Sequence, residues 1–233
     1  MEAQKAQRLM LERQPLSELL PYLSYDPDTG IYGLDQGVGF IFRCSPLTFA
    51  NDETARVVRG LLESSFPPGS SVQFSLFASR RIRPILDAYV FMRENTHGDS
   101  IYSEMARRKR EFLLMGRDGS LFKGFDLRMR DFNLYVSFVL PSERTPADYR
   151  NALDSARGIK ETVERTLSTA HLNPSQVGPR ELIGFLFELL NPNHSIDEFQ
   201  QYNPNIPIKD QVLYSDSEIR VEKDYLVIDG KVC

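Results

Sequence analysis

The chain has 233 residues, of which 41% are apolar and 26% are charged, and its formal net charge at pH 7 is −4. These values lie close to the averages for globular proteins, so they exclude a disordered chain and a fibrous repeat. The length fits one large domain or two small ones.

The charge is distributed unevenly along the chain. Residues 80–130 contain 12 Lys and Arg against 7 Asp and Glu, whereas residues 188–233 contain 4 against 9. This asymmetry predicts two differently charged surfaces. They could orient the molecule on an anionic partner or on a second copy, or they could simply be two solvated faces.

The cysteine content and the apolar runs restrict the location of the protein. Only Cys44 and Cys233 are present, with no CxxC motif, which favours a reducing compartment such as the cytoplasm. Residues 1–16 lack the apolar core of a signal peptide. The longest apolar run, residues 183–190, is too short to cross a bilayer, which needs about 20 residues. Any membrane contact is therefore expected to be peripheral.

The N-terminal part of the chain is predicted to be a helical segment followed by a β-hairpin. Residues 1–20 are mostly good helix formers, and residues 21–233 are assigned to an α+β domain. The sequence DPDTG at residues 26–30 favours a turn, with Asp accepting backbone hydrogen bonds and glycine taking a φ that other residues avoid. Strands are predicted over residues 31–34 and 38–44, joined by a three-residue loop that ends in a glycine with φ > 0.

The middle of the chain is predicted to alternate helices and strands. An amphipathic helix is expected over residues 51–66, capped by Asn51 or Asp52, and a half-buried strand over residues 72–78. The inward side chains of this strand are predicted to be Val72, Phe74 and Leu76.

Two basic helices and a strand are predicted next. The helices cover residues 80–93 and 100–115 and are joined by a short turn that contains glycine. A loop is expected over residues 116–124. The alternating apolar residues of the segment 132–140 predict an interior strand.

The last third of the chain is predicted to contain two helices and a second hairpin. A long helix begins at Pro146, and another runs from Gly178 to Asn191. A loop rich in Pro and Asn is expected over residues 191–207, and the final strands over residues 218–221 and 225–228.

The order of these elements predicts an α+β fold. We expect a mixed or antiparallel sheet with packed helices, split βαβ-like elements and hairpins at both ends. Asp229 and Gly230 also form a turn signal, yet only three residues follow them, which are too few for the return strand we would expect. We therefore expect the chain to be the N-terminal part of a longer protein.

The DPDTG segment resembles the start of a calcium loop, because carboxylates at alternate positions can converge on a hard cation. Counted from Asp26, however, loop positions 6 and 12 are Ile31 and Gly37 instead of the Gly and Glu that an EF-hand requires. A structural turn is therefore favoured over a metal site.

No catalytic or cofactor-binding constellation is found in the sequence. The glycines at 37 and 39 lack the third glycine of a dinucleotide loop, and neither a Walker A motif nor a GxSxG elbow occurs. Cys44 has no neighbouring base. The histidines lie in or beside predicted loops without metal-ligand spacing, and they are His97, His171 and His194. We predict no catalytic, cofactor or metal residues for this chain.

Two basic clusters are the candidate binding residues. They are Arg80, Arg81 and Arg83, and Arg107, Arg108, Lys109 and Arg110. Such runs can neutralise the phosphates of nucleic acid or anionic lipid, or they can form the exposed face of a helix. Few aromatic residues are interleaved with them, which argues against a groove for single-stranded nucleic acid.

Residues 19–62 read LLPYLSYDPDTGIYGLDQGVGFIFRCSPLTFANDETARVVRGLL. They resemble the start of the TraC family, the assembly ATPases of F-type conjugative type IV secretion systems. The shared pattern is LLPY-x-x-YD-x-x-TG-x-Y, then a GF strand, then SPL before a helix. In this chain it falls on Leu19 to Tyr22, Tyr25 and Asp26, Thr29 and Gly30, Tyr32, Gly39 and Phe40, and Ser45 to Leu47.

The resemblance implies a cytoplasmic ATPase, peripheral to the inner membrane, that powers pilus assembly and plasmid transfer. It also implies an N-terminal α+β domain that contacts other secretion components, followed by a motor that binds ATP and Mg²⁺ and can assemble into a hexamer. Because no Walker A motif is present, we expect a non-catalytic assembly and docking domain. The alternatives are a nucleic-acid-binding module that uses the basic clusters and, ranked last, a small hydrolase.

Overall fold

The computed structural model describes residues 16–47, 49, 51–64, 66–97, 100–143, 145–191, 194, 201–213, 217, 219–222, 224–228 and 230–232. The main sheet consists of β1 (Tyr22–Asp26), β2 (Ile31–Leu34), β3 (Gly37–Cys44), β4 (Ser71–Ser79), β5 (Asp131–Pro141) and β6 (Ser175–Gln176). The α-helices are α1 (Asp52–Leu62), α2 (Arg83–His97), α3 (Ile101–Asp118), α4 (Pro146–Thr169) and α5 (Pro179–Leu190).

The main sheet is antiparallel, with the strand order β1-β2-β3-β5-β4 and with β6 beside β3. Because β5 pairs with both β3 and β4, the unit β3-α1-β4 is a βαβ split by an antiparallel strand. The predicted α+β class, the split βαβ element and the interior position of β5 are confirmed.

Helices cover both faces of the sheet. On the first face, Phe40 and Phe138 stack with ring centroids 5.3 Å apart, and α1 and α4 pack over them with Leu61 and Val163. On the second face, α5 and a 3-10 helix (Ile208–Gln211) cover a cluster that includes Ile183. Alternate residues of β3 and β5 contribute to the two clusters, as the period of a strand requires.

Hydrogen bonds from side chains begin two of the helices. The Asn51 carboxamide accepts from the Thr54 N–H at the start of α1, and the Thr145 hydroxyl accepts from the Asp148 N–H at the start of α4. The predicted cap at Asn51 is confirmed, but α1 ends at Leu62, four residues before the predicted end.

Several other boundaries differ from the prediction. Helix α2 begins at Arg83 instead of residue 80, and α3 continues to Asp118, into the segment predicted as a loop. Strand β1 was not predicted, and its register with β2 shifts between Tyr22 and Ser24. The helix predicted over residues 1–20 lies mostly outside the described residues, and residues 16–19 form a 3-10 helix.

The loop between β2 and β3 has two residues, not three. Gly37 is the first residue of β3, and a Cβ at this position would lie 2.1 Å from the carbonyl oxygen of Leu140. The close approach of β5 therefore requires the glycine.

The C-terminal strands form a separate three-stranded antiparallel sheet. Its strands are β7 (Ile219–Val221), β8 (Leu226–Ile228) and β9 (Lys231–Val232). The expectation that no return strand follows Gly230 is wrong, because Val227 and Ile228 pair with β9. Two residues are enough for this pairing.

Candidate functional site

Many of the exposed apolar side chains of the described chain lie on the helical hairpin α2–α3. The two helices pack on each other through small and apolar side chains, with Ser103 and Ala106 of α3 buried and Val90 of α2 buried. Small residues at these positions allow the two helix axes to approach closely. The two helices therefore bury one stripe each against the other.

Helix α3 carries a second apolar stripe on the side away from α2. Its members are Ile101, Met105, Phe112 and Met115, which are separated by multiples of about one helical turn. All four are exposed, with 71% of Ile101 and 72% of Met115 accessible to solvent. We call this stripe the outer face of α3. A helix with apolar stripes on two sides usually has a partner on each.

Further apolar side chains are exposed on the same hairpin and in the loop after it. They are Ile85, Phe91 and Met92 on α2, Tyr102 on α3, and Phe122, Phe125 and Leu127 after α3. This surface was not predicted from the sequence, because residues 100–115 were interpreted only as a basic helix. The recurrence of apolar residues at positions 101, 105, 112 and 115 is the signal that could have revealed it.

The second basic cluster lies on α3, and much of its charge is paired with acids on α2. The Arg107 Nε is 2.7 Å from Glu94 Oε1, and the Arg110 Nε is 2.5 Å from Asp87 Oδ1. Arg108 pairs with Glu104 one turn earlier on α3 itself.

The remaining member of that cluster contacts an aromatic ring. The Lys109 ammonium lies 5.2 Å from the centroid of the Tyr89 ring, which it approaches from the opposite helix. Together with the two ion pairs between the helices, this contact directs three of the four basic side chains of the cluster toward α2.

The first basic cluster lies at the junction of β4 and α2. The Arg80 N–H donates to Glu188 Oε1 at 2.6 Å, and the Ser79 hydroxyl donates to the other oxygen of this buried carboxylate at 2.7 Å. Arg81 lies against α5, where a Cβ on Gly184 would be 2.8 Å from its Nη1. Arg83 is the first residue of α2. The structure therefore places the two clusters on different elements, one at the strand end and one on α3.

A cleft of about 210 Å³ lies between the ends of β4 and β5 and helix α5. Arg43 and Arg81 line it together with Asp131, Glu181 and Glu188, so acidic side chains outnumber basic ones. The Arg43 Nη1 is 3.0 Å from Glu181 Oε1 in an ion pair that lacks hydrogen-bond alignment. Burial raises the pKa of the Glu181 carboxyl, and the two arginines oppose that shift. Glu181 is thus paired with Arg43, and Glu188 accepts the hydrogen bonds from Ser79 and Arg80.

The DPDTG segment is a turn between β1 and β2, as predicted. The Asp28 N–H donates to Asp26 Oδ1 at 3.1 Å, and the Thr29 hydroxyl donates to Asp26 Oδ2 at 2.6 Å. The latter bond lowers the pKa of Asp26. Gly30 has a φ of +69°. Both oxygens of the Asp26 carboxylate therefore accept hydrogen bonds from within the turn.

The other residues considered for chemistry are dispersed. Cys44 is buried in the core, where burial raises the pKa of its thiol to about 11. His171 follows α4 with a φ of +59°, and His194 lies near the ring of Phe187, whereas the side chain of His97 lies outside the described residues. Among the residues that the structure describes, no group of three or more His, Cys, Asp or Glu side chains could hold a metal ion.

None of the described helices combines the length and the apolar character that a membrane span requires.

The family model described as TraC protein matches residues 16–231. The chain is also 20% identical over 234 residues to Protein TraC of Escherichia coli (strain K12). That alignment covers 97% of this chain and 26% of the relative, so the chain spans about a quarter of the relative's length. The resemblance seen at residues 19–62 is thereby confirmed over nearly the whole chain, which belongs to the TraC family of F-type conjugative transfer proteins.

Proposed function

We propose that this chain is a non-catalytic, N-terminal assembly domain of a TraC-type ATPase in conjugative type IV secretion. In this role it docks onto other components of the secretion machine, on the cytoplasmic side of the inner membrane. The outer face of α3 is the observation that carries the proposal. Large apolar side chains exposed together on one helix face are typical of a binding surface.

The proposed lack of catalysis is supported by the sequence. The chain has no Walker A motif, and a nucleoside triphosphate needs such a loop to hold its phosphates in this class of motor. The relative in E. coli is about four times as long, which leaves room for a motor outside the matched region. We assign ATP, Mg²⁺ and any hexamer formation to that longer protein.

The docking proposal is tested by placing charge on the outer face of α3. We expect the double variant Met105→Asp and Phe112→Asp to lower the frequency of conjugative transfer by at least about tenfold, because two buried anchors contribute more than about 1.4 kcal/mol to a typical interface. Since Met105 is exposed and Phe112 is nearly half exposed, the thermal unfolding of the chain should change little. Transfer is measured by mating, with the variant protein at the parental level.

A matched control is Glu111→Ala, an exposed polar position of the same helix that lies off the apolar stripe. Its transfer frequency should equal that of the parent. Normal transfer by the double variant would overturn the docking role of this face.

The absence of catalysis is tested separately by titration calorimetry of the 233-residue chain with Mg-ATP. We expect no saturable heat. Saturable binding at micromolar nucleotide would contradict the assignment of ATP to another part of the protein.

Nucleic-acid binding through the basic clusters stays an alternative prediction. The ion pairs of Arg107 and Arg110 with α2 favour docking over it, because a phosphate would have to compete with carboxylates already in place.

A further inference from the structure

Strand β4 is an edge of the main sheet. Each of its residues from Ser71 to Ser79 is in register with β5 on one side, and no described strand pairs with its other side. In an antiparallel pair, alternate residues of the edge strand direct their N–H and C=O groups away from the neighbouring strand, so along nine residues β4 presents a row of unpaired groups that forms a template for another strand.

This edge lacks the features that usually prevent strands from adding. The sequence SVQFSLFAS contains no charged residue and no proline, and its pairing with β5 has no bulge. Proteins normally protect a long edge with lysine, proline or a bulge. An unprotected edge is therefore a candidate interface.

Apolar side chains beside the edge are also uncovered. Phe74 is 39% exposed and Leu76 is 65% exposed, although they lie on the sheet face that α1 and α4 cover elsewhere. Phe132 of β5, next to this edge, is exposed as well. A strand added to β4 would extend the sheet and bring side chains against Phe74 and Leu76.

The sequence of β4 is complementary to itself. A two-fold axis through Ser75 sets Phe74 opposite Leu76 of the second copy, Val72 opposite Ala78, and Ser71 opposite Ser79. Because none of these residues is charged, no like charges are opposed, and one face of the pair is wholly apolar. An isologous contact of this kind is the commonest arrangement in homodimers.

We propose that β4 is a self-association surface, on which a second copy of this chain adds its own β4 in antiparallel register about Ser75. The two main sheets then form one continuous sheet, and Phe74 and Leu76 of each copy cover each other. The proposal deepens the assembly role proposed above, but it uses a different surface from the outer face of α3.

The register is tested by disulfide trapping in a Cys233→Ser background. Opposed Cα atoms in an antiparallel pair lie about 4.5 to 5.5 Å apart, within the range that a disulfide spans. Ser75→Cys should therefore give a cross-linked dimer under mild oxidation. Cys44 does not compete, because it is buried.

Ser71→Cys is the matched control on the same strand. Its two copies would be roughly 26 Å apart in the proposed register, at about 3.3 Å for each of eight residues. It should give no cross-link.

The association itself is measured by light scattering over a concentration series. As the concentration increases, we expect the measured molar mass to rise from the 26.7 kDa of one chain to twice that value. Leu76→Lys should abolish this rise and the Ser75→Cys cross-link, since it buries a lysine beside Phe74 of the second copy. Ile101→Lys, a control on the outer face of α3, should dimerise like the parent.

A chain that stays monomeric at all concentrations would overturn the proposal. So would equal cross-linking of the two cysteine variants, or a dimer that Leu76→Lys leaves intact, including one formed through another surface. When Ser75→Cys and Cys233→Ser are added to the Met105→Asp and Phe112→Asp variant, it should still cross-link, so that a failure of docking and a failure of self-association are distinguishable.

Discussion

Gly30 and the carboxylate of Asp26 form a turn whose conformation is set by local chemistry. Asp26 accepts hydrogen bonds from residues two and three positions later, which fixes the chain direction before the second strand begins. The backbone at Gly30 then takes a positive φ, and the carbonyl of Thr29 accepts a hydrogen bond from Lys160 of α4. Lys160 therefore connects the turn between β1 and β2 to helix α4.

We predict that Gly30→Ala lowers the free energy of unfolding by about 1 to 2 kcal/mol, because a side chain disfavours the left-handed region by that amount. The new Cβ would also lie 2.6 Å from the Lys160 ammonium and would displace it from Thr29. The loss is measured by denaturant unfolding.

Gly158→Ala is the control for that measurement. Gly158 lies inside α4, and a Cβ there would meet nothing within 4 Å. It should stabilise the chain by roughly 0.5 to 1 kcal/mol, because alanine favours a helix interior. An unchanged stability of Gly30→Ala would show that the turn does not need this φ.

At the scale of elements, the hairpin α2–α3 is distinguished by where its charges and its apolar residues lie. The acids of α2 pair with arginines of α3, whereas the outer face of α3 is left for another molecule. Surface ion pairs contribute little stability, usually below about 1 kcal/mol each. Their main effect here is on how much positive charge the hairpin presents.

We predict that Asp87→Asn together with Glu94→Gln increases binding to single-stranded DNA, because it removes the carboxylates that pair with Arg110 and Arg107. The slope of log K against log[salt] should become more negative by about 1.4, as expected for two more phosphate contacts on a single strand. Fluorescence anisotropy at several salt concentrations measures both effects.

The control for net charge is Glu161→Gln with Glu164→Gln, two exposed positions on α4. It changes the charge equally but should not steepen the salt dependence. Tight DNA binding by the unmodified chain, unaffected by either pair of changes, would favour the nucleic-acid alternative.

At the scale of the whole molecule, the main sheet connects two apolar clusters. Residues of β3 and β5 alternate between the α1–α4 side and the α5 side, so neither cluster can form without the same two strands. We expect the described layers to unfold together.

We predict that Phe138→Ala and Ile183→Ala, on opposite sides of the sheet, each shift one common unfolding transition. The expected losses are about 3 to 5 kcal/mol for Phe138 and about 2 to 5 kcal/mol for Ile183, because both side chains are almost fully buried. Circular dichroism and tyrosine fluorescence should report the same midpoint.

Phe125→Ala, at a position 76% exposed, should change stability by less than about 0.5 kcal/mol. Two separate transitions in either core variant would contradict this coupling.

The sequence by itself determined the features that depend on neighbours along the chain. The turn at Asp26, the cap at Asn51, the alternation of β5 and the α+β order of elements were all predicted, because hydrogen bonds and side-chain periods act over a few residues. The segment at residues 19–62 also indicated the family.

Only the tertiary structure decided which surfaces are covered. Phe74 and Leu76 were predicted to point inward, and they do lie on the covered face of the sheet, but the covering helices do not extend over them. Arg110 was a candidate for binding an anionic partner, which stays a prediction, and the structure pairs it with Asp87, 23 residues earlier. Burial and pairing of this kind depend on elements that are distant in sequence, and no local pattern specifies where those elements end.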